Sequence, residues 1–255
     1  MIEGLIEFSA LSAALIWQFG LVFLRVGAMV SLLPAFGEQT VPMRIKLAVA
    51  LVFTLIVAPA APTAAIPDGT AALAWAALTE SLIGFALGIG LRLFVFALQT
   101  AGTIAAQSVS LSQILGGAGI EPIPALGYVM VISGLALAVI LGLHVRAAEF
   151  LIRSYDLFPF GQFPNAGMLS EWGLSQVARS FTLAFMLAIP FVLGSMLYNI
   201  TLGVINRAMP QLMVAFVGAP VITLGGMLIL FLCLPFMLSV WSDALLDFLS
   251  NPFGG

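Results

Sequence analysis

Apolar residues along this chain come in long blocks rather than in alternation. The blocks fall at roughly 11–33, 47–66, 71–98, 123–143, 180–206 and 208–242. The last is the clearest, because the 35 residues between Arg207 and Asp243 include no charged side chain. Apolar runs well past about 18 residues are costly in water and stable in hydrocarbon. The blocks are predicted to be helical, since lipid offers backbone groups no partner outside helices and closed barrels, and the ten-residue alternation of barrel strands is absent. The expected fold class is therefore an all-α integral membrane protein. As a straight helix the last block would extend about 50 Å, against a bilayer core of about 30 Å. Pro220, Gly225-Gly226 and Pro235 offer bend points there, so the block reads as a bent helical hairpin or a kinked, tilted rod. Pro190 marks a lesser bend in the block before it.

Composition points the same way. The chain is 62% hydrophobic and 7% charged with a mean hydropathy of +1.19, whereas soluble domains carry about 25% charge. No polar stretch is long enough for a soluble domain. The interval from Arg146 to Arg179, with its turn-forming Phe158-Pro159-Phe160-Gly161, reads as a connection. A net charge of −3 without a basic cluster gives nucleic acid no electrostatic footing. Met1 to Ala10 carries Glu3 and Glu7 but no basic residue, so the first block is expected to stay rather than leave as a signal peptide. Cys233 stands alone, can form no internal disulfide, and reads as a small core residue.

Charge placement complicates a simple count of spans. With six spans, the odd connections hold Arg44, Lys46 and Arg207, and the even ones hold Arg146, Arg153 and Arg179. The positive-inside rule then ends in a tie, so either the count of six is wrong or some helices do not cross the bilayer. Three charges lie inside blocks: Arg25, Glu80 and Arg92. Each costs about 2.5–3.5 kcal/mol at mid-membrane and needs a partner or a wet cavity. A structural pair between packed helices is favoured over an ion or proton path, which would need more carboxylates than Glu80. Gly84-x-x-x-Gly88 with Gly90, and later Ala101-Gly102 with Ala105-Ala106, let helices approach closely without naming the partner.

The segment from Gln99 to Pro124 departs from the pattern. It carries Gln99, Gln107, Ser108, Ser110, Ser112 and Gln113, then Gly116-Gly117-Ala118-Gly119, Glu121, Pro122 and Pro124. Irregular backbone is tolerated at membrane depth only where protein buries it or it lines a cavity. Leu111, Ile114, Leu115 and Ile120 keep the segment apolar enough to fill a constriction. An extramembrane turn and a re-entrant plug both remain open, and composition by itself favours the turn.

Enzymatic chemistry has little support. His144 is the single histidine, and no Cys/His/carboxylate group at ligand spacing exists for a metal. Ser195 follows Gly194 outside any nucleophile elbow, and no phosphate-binding loop is present. No cofactor is expected. A secondary transporter of a small solute also uses broken helices and mid-membrane charge and stands as the alternative, although the halves show no convincing repeat.

Four groups of residues carry a resemblance. They are Phe23-Leu24-Arg25 with Pro34-Ala35-Phe36-Gly37 and Val41-Pro42-x-Arg44-x-Lys46-Leu47; Gln99-Thr100-Ala101-Gly102 with Gln107; Gly142-x-His144 with Ser154-Tyr155 and Pro159-x-Gly161; and Asn206-Arg207-x-x-Pro210-Gln211-Leu212 with Gly218-x-Pro220. In this order the chain resembles the FliR family of flagellar biosynthesis proteins, relatives of a virulence type III secretion subunit. The resemblance implies a core subunit of the type III export gate. It would join P-type and Q-type membrane subunits, and other export-apparatus subunits, around a pore for unfolded secreted proteins. It would sit in the bacterial inner (cytoplasmic) membrane, among lipid, at the flagellar basal body.

Family members look like a P-type and a Q-type subunit fused, which assigns residues 1–205 to the former and 206–255, as a helical hairpin, to the latter. The loop 107–122 matches the family's plug in position. That shifts Ser110, Leu111, Gln113, Ile114, Leu115, Gly116, Gly117 and Ile120 toward a gate. Many members have a Gln-Met-Gly step where this chain has Gln107-Ser108-Val109. Arg25 is expected to secure helix packing rather than touch cargo.

Overall fold

The computed structural model describes residues 2–109, 125–209 and 214–252. Among these residues seven helices follow one another: α1 (Ile2–Val30), α2 (Met43–Val57), α3 (Thr70–Val109), α4 (Ala125–Ile140), α5 (Leu143–Leu157), α6 (Ala166–Ala208) and α7 (Val214–Ser250). No strand occurs among the described residues. The chain is an all-α membrane protein.

Six spans do not survive. Among the described residues four helices are long and apolar enough to cross a bilayer: Ser12–Val30 of α1, α3, α6 and Val221–Ser250 of α7. A fifth span arises if α4 and α5, bent by 71°, count as one. The bend falls at Gly142, whose φ of +79° is open to glycine and strained for other residues. Block 47–66 is the one lost as a spanning helix. Pro59 and Pro62 lack amide donors, the helix ends at Val57, and 15 residues reach only about 22 Å.

Other expectations change as well. The interval after Arg146 is more than a connection, because α5 and the start of α6 occupy most of it. Helix α5 buries Leu143, Ala147, Phe150, Leu151, Ser154 and Tyr155 on one stripe, leaving Arg146, Glu149 and Arg153 exposed. Gln99 to Val109 continues α3, so Gln107 to Val109, expected in the loop, are helical. Within the block 208–242, residues from Val214 onward form one unbroken helix through Gly225-Gly226 and Pro235, the rod of the two expected forms. Pro190 likewise lies inside an unbroken α6.

Packing divides the chain into two compact units. The first comprises Met1–Arg92, Ala138–Gln176 and Asp247–Gly255, and the second Leu93–Leu137 and Val177–Leu246. In the first, α2 packs on α1 and α5. There α3 meets α1 through the expected glycine pair. A Cβ at Gly84 would overlap the Arg25 carbonyl oxygen, and one at Gly88 would lie 3.1 Å from the Met29 carbonyl oxygen. In the second, α3 meets α4 where a Cβ at Gly102 would lie 2.2 Å from the Gly127 Cα.

Candidate functional site

The first unit is built around one buried arginine. Arg25 of α1 and Glu80 of α3 are both fully buried, 0% exposed. Arg25 Nε donates to Glu80 Oε2 at 2.7 Å and Nη2 donates to Oε1 at 3.1 Å, a two-point pairing. Nη1 donates to Ser154 Oγ on α5 at 3.1 Å, and Nη2 also donates to the Phe158 carbonyl at 2.8 Å. The guanidinium lies 3.8 Å from the centre of the Tyr155 ring, which itself packs on Phe160. The Gly161 amide donates to Glu80 Oε1 at 3.4 Å, from a backbone φ of +69° that glycine readily supplies. Four of the five guanidinium donors thus have acceptors, and the ion pair is neutral as a unit.

Such an arrangement fixes geometry rather than performing chemistry. A planar fork paired at two points, stacked on a ring and bonded to a loop carbonyl holds α1, α3, α5 and the connection 158–161 in one register. No face of Arg25 or Glu80 is open to a solute. Arg92, the third charge within a block, meets Glu38 in the connection after α1 at 2.5 and 3.1 Å, with both side chains partly exposed. Lys46 Nζ donates to the Gly37 carbonyl in that connection at 2.9 Å. The connection turns through Ala35, at φ +68°, and through Gly37, where a Cβ would sit 2.5 Å from the Ser31 carbonyl oxygen.

The remaining candidate residues are scattered. His144 is exposed at the start of α5. Ser195 is half-buried on α6, and its hydroxyl donates to the Val192 carbonyl. Cys233 is half-buried on α7. Ser110, Leu111, Gln113, Ile114, Leu115, Gly116, Gly117 and Ile120 lie outside the described residues.

The family described as "Bacterial export proteins, family 1" matches residues 16–248. The chain belongs to this family, the FliR family. It is 34% identical over 232 residues to the flagellar biosynthetic protein FliR of Caulobacter vibrioides, covering 89% of this chain and 92% of the relative. It is 30% identical over 209 residues to FliR of Escherichia coli, covering 79% and 78%. The figure for FliR of Bacillus subtilis is 26% over 228 residues, covering 85% of each.

Residues that carried the FliR resemblance as separate groups converge at Arg25. Ser154-Tyr155 supplies a hydroxyl and a ring, and Pro159-x-Gly161 supplies the turn whose amide reaches Glu80. Sequence reading assigned these residues no role. It also missed Glu38 as the partner of Arg92. A signal was available, because Glu38 is the single acidic residue in the connection next to the motif at Gly37.

Proposed function

We propose that this chain, a FliR-family component of a bacterial export apparatus, is a core subunit of the type III flagellar export gate. It acts without enzymatic chemistry, walling a pore for unfolded protein together with P-type and Q-type subunits in the inner membrane at the flagellar basal body. Residues 1–205 take the P-type part and 206–255 the Q-type part. Family membership over most of the chain supports the export role.

One observation supports assembly with other proteins. Exposed apolar residues crowd α6 from Phe181 to Ile205, beyond the exposed Glu171 and Arg179, and a contiguous apolar face of this kind supports contact with sister subunits.

The segment Ser110 to Glu121 is the gate in this reading. Leu111, Ile114, Leu115 and Ile120, with Ser110 and Gln113, occlude the lumen, and hydrophobic constrictions close pores by dewetting. Gly116 and Gly117 let the segment move aside. Copurification in mild detergent with P-type and Q-type subunits tests the assembly, and a solitary chain that is competent for solute uptake would overturn it. Deleting Ile114 to Ala118 is expected to leave the complex assembled while raising ion leak in the closed state. Unchanged conductance in cells retaining the complex would remove the gate assignment.

A further inference from the structure

Helix α5 carries a row of charge on its exposed face that the Arg25 cluster does not use. Arg146, Glu149, Arg153 and Asp156 are all exposed, and their spacings place them within about 80° of the helix circumference. Ala147, Phe150, Leu151 and Ser154 are buried on another face of the same helix and turn the row outward. Its signs alternate: basic, acidic, basic, acidic. Four charges on one face make hydrocarbon an unfavourable neighbour. Because the signs cancel, the row has no net attraction for anionic headgroups either.

Within the chain the row finds little to satisfy it. Among the described residues the ion pairs are Arg25–Glu80 and Arg92–Glu38, although spacings of three and four residues would let Glu149 meet Arg146 or Arg153. Arg153 Nη1 donates to the Ser250 carbonyl at 3.4 Å, one long bond from a group with five donors. A row of alternating sign complements a second helix whose signs run in the inverse order, and such rows set partner choice and register between helices. Helix α5 is its own complement when antiparallel, since Arg146 would face Asp156 and Glu149 would face Arg153 of a second copy. Area argues against that occupant. One face of this 15-residue helix measures about 22 Å by about 10 Å, far short of the roughly 800 Å² per partner in a stable complex. The row can orient a neighbour that other surfaces hold, but it cannot hold one unaided.

We propose that the exposed row of α5 sets the register of a helix in a sister gate subunit, one that carries acidic, basic, acidic and basic residues at the facing positions. The inference rests on the assembly reading above. Its test exchanges the order of signs at constant net charge, with Arg146→Glu, Glu149→Arg, Arg153→Glu and Asp156→Arg in one full-length chain. Purified in mild detergent with the subunits it keeps, this variant is expected to retain the sister subunit several-fold less than wild type, by a margin that shrinks as salt is raised. A photoreactive group at position 149 of the otherwise wild-type chain should capture one helix of that subunit, with charges in the inverse order. Reversing those charges should restore retention of the exchanged variant. Arg146→Glu with Glu149→Arg leaves the Arg153 bond in place. It should give a smaller loss in the same direction, and it serves if the fourfold variant does not fold. Equal retention by wild type and the exchanged variants overturns the proposal and makes the row a solvated face. Capture of α5 from a second copy, of lipid, or of a helix without the inverse order overturns it too. A wild-type chain that retains no sister subunit sinks the assembly reading along with the row, whereas equal retention removes the row alone.

Discussion

The two compact units of this chain hold their helices together by different means. In the first, polar side chains reach across to irregular backbone. Arg25 bonds the Phe158 carbonyl, Gln18 the Ala58 carbonyl, Trp17 the Ala65 carbonyl and Lys46 the Gly37 carbonyl. Trp172 does the same for Pro252. In the second, contacts are made by small residues and by indole or hydroxyl groups on helix backbone: Gly102 against Gly127, Gly134 against Leu98, Ser180 to the Leu93 carbonyl and Trp241 to the Phe94 carbonyl. The difference follows from what each unit must satisfy. The first contains the connections 31–42, 58–69 and 158–165, in which only some backbone amides bond to helix carbonyls and the carbonyls of Gly37, Ala58, Ala65 and Phe158 take side-chain donors. The described residues of the second are almost all helical, so dispersion between close-packed backbones suffices.

The comparison is broken most severely at Arg25. Arg25→Ala or Glu80→Ala leaves one buried charge uncompensated, at about 3–5 kcal/mol, and should lower both the melting temperature and the cellular level of the protein. Replacing both by apolar residues, as in Arg25→Met with Glu80→Leu, should recover much of that loss. Single variants that melt like wild type would show the ion pair to be dispensable. Glycine contacts come next. Gly84→Ala drives a methyl group into the Arg25 carbonyl and should cost about 1–3 kcal/mol. Gly225→Ala on α7, where the added atom meets nothing within 4 Å, should gain up to about 1 kcal/mol from helix propensity. Equal shifts at the two sites would remove close packing as the explanation.

Smaller effects sharpen the contrast. Trp241→Phe keeps the ring buried but loses the 2.9 Å bond to Phe94, and thermal unfolding should register about 1 kcal/mol. The least change is expected at the partly exposed Arg92–Glu38 pair. Glu38→Gln should cost about 0–1 kcal/mol and matter less as salt is raised. A loss as large as that at Arg25 would place Glu38 in a dry environment instead.

Much of the candidate site was legible in part. Arg25 and Glu80 stood out because charges inside apolar blocks need partners, and Gly84-x-x-x-Gly88 announced a close approach. Neither signal identified α1 and α3 as the pair. Ser154 and Phe158 were out of reach, because they lie 129 and 133 residues from Arg25 in sequence and their side chain and carbonyl are ordinary in local context. Similarly, hydropathy marked 47–66 as a block, yet a chain is held as a long helix only where its backbone donors continue, and prolines end α2 at 15 residues.

Membrane residence, helical class and the need to neutralise each interior charge were determined by the order of residues alone, since transfer to hydrocarbon and backbone satisfaction act locally on each stretch. Where α2 stops, where α4 turns into α5, and which carboxylate answers each arginine were decided only in the folded chain. These depend on residues remote in sequence meeting at distances of about 3 Å, the length scale of a hydrogen bond, and no periodicity along the chain encodes such a meeting.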